Sequence, residues 1–173
     1  MKTLVIHPKD TTTDVLSIIY EGKKNWKIIN HYISNVIIKE LIKEHDRIIM
    51  MGHGTPNGLL GYGRFIINSS FVYLLKEKKE NVYIWCNADK FVKKYKLNGF
   101  TTGMIISEEM EADYCNVKYN KGDVENSIVL FSESIRDSID DSSKLMCENV
   151  IKNYNTEKNS DVLNYNRSRI YYF

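Results

Sequence analysis

Two side chains able to support nucleophilic chemistry stand at matching places in the apolar pattern. His53 follows the run RIIMMG, residues 47 to 52, and lies between Gly52 and Gly54. Cys86 closes the next such run, NVYIWC, residues 81 to 86, and precedes Asn87-Ala88-Asp89. If the two runs are neighbouring parallel strands, roughly 4.8 Å apart, both side chains emerge on one sheet edge within reach of each other. A free thiol of pKa about 8.5 is only a few per cent ionised at neutral pH. A neighbouring imidazolium and the positive end of a following helix would raise that fraction. The imidazole can also protonate a leaving amine, while the amides of Gly54 and Cys86 can form an oxyanion hole. The pattern is that of a Cys/His pair for nucleophilic catalysis.

The glycines around His53 invite a different chemistry, phosphate binding, and spacing decides against it. A Walker loop needs GxxxxGK[ST], and no lysine and hydroxyl follow Gly52 or Gly58 at that spacing. A dinucleotide fingerprint needs a third glycine where Asn57 stands. Pro56 and the glycines at 58, 61 and 63 read instead as a turn and small hairpin, GLLGYGRFII.

Positioning the pair requires a sheet, and the runs supply one. TLVIH (3 to 7), WKIIN (26 to 30), RIIMMG, NVYIWC and GMIIS (103 to 107) are short, apolar and branched, as strands buried on both faces are. Between them lie helix patterns. One covers 34 to 45 behind a Ser34 cap, with Ile37, Ile38, Leu41 and Ile42 on one face. A second covers 70 to 79, with Phe71, Leu74 and Leu75, and a third covers 90 to 97 behind Asp89 as cap. The acidic stretch SEEMEADYCNVKYNKGD reads as a surface loop or short irregular segment that could line a site. Helices over 124 to 139 and 143 to 154 follow. The last stretch, residues 155 to 173, ends in Ile-Tyr-Tyr-Phe and reads as an edge strand or a docking tail. The expectation is a single α/β domain over 1–173, with a mostly parallel central sheet and helices on both faces in three αβα layers.

Composition narrows the partners. The 173 residues carry 24 Lys and Arg against 22 Asp and Glu, and the resulting +2 gives no pull toward nucleic acid or an anionic membrane. The apolar stretch before His7 and Pro8 is too short for a signal-peptide core, and no later stretch reaches a membrane span. A soluble cytoplasmic protein is expected. Cys86, Cys115 and Cys147 contain no CxxC pair, so no disulfide framework, metal site or cofactor is expected.

The motifs MMGHGTPNG and YIWCNAD, in that order, resemble those of the caspase-like clan of cysteine peptidases: caspases, metacaspases, legumains, gingipains and clostripain. The likeness covers about residues 1 to 107, and the short interval between the two motifs is nearest the compact bacterial members. It implies a caspase-like fold with substrate lying across the carboxyl ends of the strands. His53 would be the base, Cys86 the nucleophile and Gly54 an oxyanion contributor. Ile84-Trp85 and Asn87-Ala88 depart from the pairs usual around the cysteine, which removes any assignment to a subfamily.

The clan binds the side chain before the cleaved bond with the loop after the first strand and the segment after the strand beyond the cysteine. Those regions hold Asp10 and Asp14, and Glu108, Glu109 and Glu111, a set that would favour a lysine or arginine. The expected partner is a peptide or protein substrate, with pairing of two copies left open. The rival expectation is a noncatalytic α/β module that holds a ligand at the same edge. Taken singly, His7 reads as a hydrogen-bonded structural residue, and His31 and His45 as surface residues without partners.

Overall fold

A computed structural model of the chain describes residues 1–154 and 160–173. Its elements run β1 (Thr3–Ile6), a 3-10 helix (Asp14–Tyr20), β2 (Lys27–Ile29), α1 (Asn35–Glu44), β3 (Arg47–Met51), β4 (Gly54–Thr55), β5 (Gly58–Gly61) and β6 (Arg64–Ile67). After a 3-10 turn (Ser69–Phe71) come α2 (Val72–Leu75), β7 (Val82–Ile84), α3 (Ala88–Tyr95), β8 (Phe100–Thr102), α4 (Glu109–Tyr114), α5 (Asp123–Ser138), α6 (Ser143–Asn153), α7 (Asp161–Arg167) and β9 (Ile170–Tyr172).

The central sheet has the order β2-β1-β3-β7-β8-β9. All neighbours are parallel except β9, which runs antiparallel to β8 at the edge. The chain is therefore a mixed α/β protein with a six-stranded, mostly parallel sheet. Both sheet faces are covered, and the pleat shows it. Leu4 and Ile6, Ile48 and Met50, and Tyr83 face α1, α2, α3 and the small β4-β5-β6 sheet. Val5, Ile49 and Met51, and Val82 and Ile84 face the first 3-10 helix, α5, α6 and α7. Each fully buried aliphatic side chain contributes about 1.5–3 kcal/mol, so a one-residue slip that exchanged the faces would be opposed by the whole core.

The start of the strands is fixed by polar side chains. Asn81 Oδ1 accepts from the Ile48 amide at 3.2 Å while its Nδ2 donates to the Leu75 carbonyl at 3.0 Å. The buried Arg47 guanidinium donates to the carbonyls of Glu80 and Ile139. These contacts lie at the amino ends of β3 and β7, opposite the edge that carries His53 and Cys86.

Several elements differ from the sequence reading. The fifth strand is Phe100–Thr102 rather than 103 to 107, and Ile105 and Ile106 are buried in the segment beyond the strand's end. The helix read over 70 to 79 is only a 3-10 turn and the one-turn α2, although Phe71, Leu74 and Leu75 are buried as expected. Ser34 caps α1, accepting from the Ile37 amide at 3.3 Å, but Ile37 itself is 50% exposed. Helix α3 begins one residue before Asp89. Its N-cap is Asn87 in the left-handed region, and Asp89 instead pairs with Lys93 at 3.8 Å one turn on. Part of the stretch read as loop is α4. The final strand is present as β9, preceded by the unanticipated α7; residues 155–159 of that tail lie outside the described residues.

Candidate functional site

Met51 and Ile84 are register partners at the carboxyl ends of β3 and β7. The Gly52 amide extends the ladder by donating to the Ile84 carbonyl at 3.0 Å. His53 and Cys86 each follow two residues after those partners, so the paired strands deliver both to one edge at equivalent positions. In this sheet order, the chain turns to opposite sides from β1, with β2 on one flank and β3 on the other. Open α/β sheets hold their ligands outside the carboxyl ends at such a reversal.

The chain around His53 is shaped by two glycines. Gly52 has φ +135°, a conformation that a side chain would strain, and it swings the chain out of β3. Gly54 lies against the indole of Trp85, where an added Cβ would come within 2.1 Å of Cδ1. Trp85, the residue before Cys86, is anchored three ways. Its indole N–H donates to the Thr55 carbonyl at 3.1 Å, its own carbonyl accepts from Thr102 Oγ1 at 3.2 Å, and its ring packs edge-on against Tyr83 and Phe91. The expected hairpin is the antiparallel pair β5–β6, with β4 added on its other side.

A cleft of about 420 Å³ is lined by His53 and Cys86 together with Thr12, Thr13, Trp85, Thr102, Ser107 and Glu111. His53 also borders a second recess, with Pro8, Asp10, Tyr62 and Arg64. It is the more open of the pair, its side chain 44% exposed. Its Nε2 lies 2.7 Å from Thr12 Oγ1 and 3.5 Å from Asp10 Oδ1. The Asp10 carboxylate, 45% exposed, accepts from both the hydroxyl and the amide of Thr12, and these bonds lower its pKa. At that exposure solvent screens the attraction of the carboxylate for the His53 ring. The geometry of the contact matters more than its energy.

Cys86 is half-buried, with Sγ 4.0 Å from Glu111 Oε1. Burial first, and then the Glu111 charge, push the thiol up to about 11, while a hydrogen bond from the Ile105 backbone opposes them. This reverses the expectation that a neighbouring imidazolium and the start of α3 would favour the thiolate. Desolvation penalises the charged sulfur, and the charge facing it is negative.

Glu111 is the site residue that sequence reasoning placed only among general acidic candidates. Its Oε2 accepts from the Ser107 amide at 2.7 Å, the Ser107 hydroxyl at 2.9 Å and the Glu108 amide at 3.2 Å, leaving Oε1 toward the cleft. Glu108 and Glu111, three apart, form a reciprocal cap on α4. That spacing was the signal available in the sequence. From α7, the Asn166 side chain clamps both backbone groups of Ile106, at 2.7 Å and 2.9 Å, and so fixes the segment that presents Ser107 and Glu111.

The other acidic candidates are dispersed. Asp14 is exposed at the start of the first 3-10 helix, while Glu108 and Glu109 border an adjoining groove that shares Val15, Ser107 and Ile128 with the cleft. His7 is 2% exposed and bonded to Tyr20 and Thr13, the structural role expected of it. His31 is exposed, but His45 does have a partner, the Leu41 carbonyl at 2.7 Å. Cys147 is buried, and Cys115 accepts from the Tyr165 hydroxyl at 3.3 Å. Among the described residues, no group of three or more His, Cys, Asp or Glu side chains is arranged to hold a metal ion, and no helix is long and apolar enough to cross a membrane. No family model, curated protein or solved structure matches the chain.

Proposed function

We propose that the chain is a cysteine peptidase of caspase-like fold that cleaves peptide bonds after a basic residue, with Cys86 as nucleophile and His53 as base. The observation that carries this reading is the register of Met51 with Ile84, which brings His53 and Cys86 to equivalent places on adjacent parallel strands above one cleft. A histidine at the end of one strand and a cysteine at the end of the next, in that chain order, is the arrangement the resemblance to the clan implies.

A thiol pushed up to about 11 is ionised to roughly one part in ten thousand at pH 7. The reaction therefore runs by general-base catalysis rather than from a standing thiolate. His53 takes the thiol proton as Sγ attacks the peptide carbonyl. The amides of Gly54 and Cys86 receive the oxyanion. The tetrahedral intermediate breaks its C–N bond as His53 passes the proton to the leaving amine, leaving a thioester on Cys86. Water, deprotonated by His53, attacks the thioester and releases the carboxylic acid; the proton returns to the sulfur.

Two carboxylates flank the line of attack, Asp10 beside His53 and Glu111 beside Cys86. Of the two, Glu111, whose Oε1 stands beside Cys86 in the cleft, supports selection of a lysine or arginine side chain. The three unpaired cysteines suit a reducing, cytoplasmic setting. A panel of fluorogenic peptides tests the proposal. Arginine and lysine substrates are cleaved faster than aspartate ones, and Cys86→Ala abolishes cleavage. Aspartate substrates cleaved faster than arginine ones would overturn the specificity. Full hydrolysis by a folded Cys86→Ala variant would overturn the mechanism.

A second reading is favoured by one observation, the raised pKa of Cys86 beside Glu111. It is a noncatalytic α/β module that holds a ligand in the same cleft. Absence of cleavage across the whole panel, with ligand-induced protection of Cys86 from alkylation, would favour it.

A further inference from the structure

We infer that Asp10 and Thr12 act as positioning residues that fix the tautomer of His53, Thr12 relaying the Asp10 carboxylate to the imidazole through its single hydroxyl proton.

Three distances define the relay. Thr12 Oγ1 lies 2.7 Å from Asp10 Oδ1 and 2.7 Å from His53 Nε2, and the Thr12 amide donates to the same Asp10 oxygen at 3.0 Å. A threonine hydroxyl has one proton to give and two lone pairs. Its two close partners are an anionic carboxylate oxygen, which can only accept, and an imidazole nitrogen, which can do either. If the hydroxyl proton went to Nε2, two oxygens would face each other at 2.7 Å with no proton between them. Charge-assisted bonds are the stronger ones, so the proton goes to Asp10. The hydroxyl oxygen must then accept from His53, which places the imidazole proton on Nε2. Nδ1 is left with the lone pair, and so with the capacity to receive a proton.

The arrangement gives Asp10 a task different from binding a substrate cation. It lies 3.5 Å from Nε2, but its short bonds are to Thr12, and the loop 10–12 is closed on itself by the Thr12 amide. That loop follows β1, the strand paired with β3, so it is rooted in the same sheet as His53. The effect on turnover rests on the proposed peptidase activity. The tautomer does not, because it belongs to the resting protein.

The test is ¹⁵N NMR of the imidazole ring at alkaline pH, where an imidazole is neutral, combined with steady-state kinetics. The wild type and Thr12→Ser are expected to show a protonated, pyrrole-like Nε2 and a pyridine-like Nδ1 at full separation. In Thr12→Val and Asp10→Ala the two shifts converge toward the average of exchanging tautomers. A proton on Nδ1 in the wild type, or a Thr12→Val spectrum identical to it, would overturn the relay. In peptide hydrolysis, Thr12→Val lowers kcat roughly tenfold to a hundredfold with KM little changed, as expected of a misplaced base, and Thr12→Ser retains most of the activity. A rise in KM alone would make Asp10 and Thr12 substrate contacts and overturn their positioning role. If no peptide is cleaved but the ring shifts behave as stated, the relay stands and the peptidase proposal fails.

Discussion

The indole N–H of Trp85 donates to the carbonyl of Thr55 at 3.1 Å, tying the residue before Cys86 to the strand that leaves His53. The two halves of the site are thus joined beyond the end of the sheet as well as within it. Gly54 sits inside this junction, and its missing side chain is what lets the indole approach. An alanine there would bring Cβ to 2.1 Å from the ring. Gly54→Ala is expected to destabilise the protein by about 1–3 kcal/mol, the usual cost of overpacking, and to alter Trp85 fluorescence. Equilibrium denaturation followed by tryptophan emission checks this; an unchanged midpoint and spectrum would mean that the junction yields without cost.

Glu111 faces Cys86 and holds its thiol in the protonated form together with burial. Glu111→Gln removes the charge while keeping an oxygen to accept from Ser107. A unit charge at 4 Å is worth about 1–4 kcal/mol at effective dielectric constants of 80 to 20. Alkylation of Cys86 by iodoacetamide at pH 8 is therefore expected to accelerate roughly tenfold or more in this variant. An unchanged rate would assign the raised pKa to burial alone.

His7 lies beneath the loop that carries Thr12 and Thr13, and burial lowers its pKa from 6.5. The unfolded chain takes up a proton near pH 6.5 that the folded chain does not. Stability is therefore present above that pH and falls as the pH drops from 6.5 toward the folded value, by at most about 1.4 kcal/mol per pH unit. His7→Gln removes this component. Denaturation of both proteins between pH 7.5 and 5 checks it, and equal slopes would contradict it.

Much of the positioning was legible in the sequence because periodicity and special residues coincide there. RIIMM alternates between two apolar faces, Ser34 caps a helix of the expected length, and His53 and Cys86 fall at corresponding distances from their strands. What was missed depended on contacts distant in the chain. The strand near residue 100 was shifted to 103–107 because Ile105 and Ile106 are as apolar as a strand, yet they are buried against α5 and α7 rather than laddered. Helix α2 stops after one turn where the apolar spacing alone suggested more. Glu111 reaches Cys86 from a segment that Asn166 grips at Ile106 across 60 residues, a contact no local pattern announces. Thr12 had no signal, since a threonine in a polar loop gains meaning only from the histidine it meets.

The most direct measurement is the rate and site of labelling by a peptidyl-arginine chloromethyl ketone, read by mass spectrometry of the intact and digested protein. The expected result is one adduct, on Cys86, formed at least about a hundredfold more slowly in His53→Ala, the lower end of what a general acid–base group contributes. Labelling of Cys115 or Cys147 in preference to Cys86, or an equal rate on Cys86 without His53, would contradict the dyad.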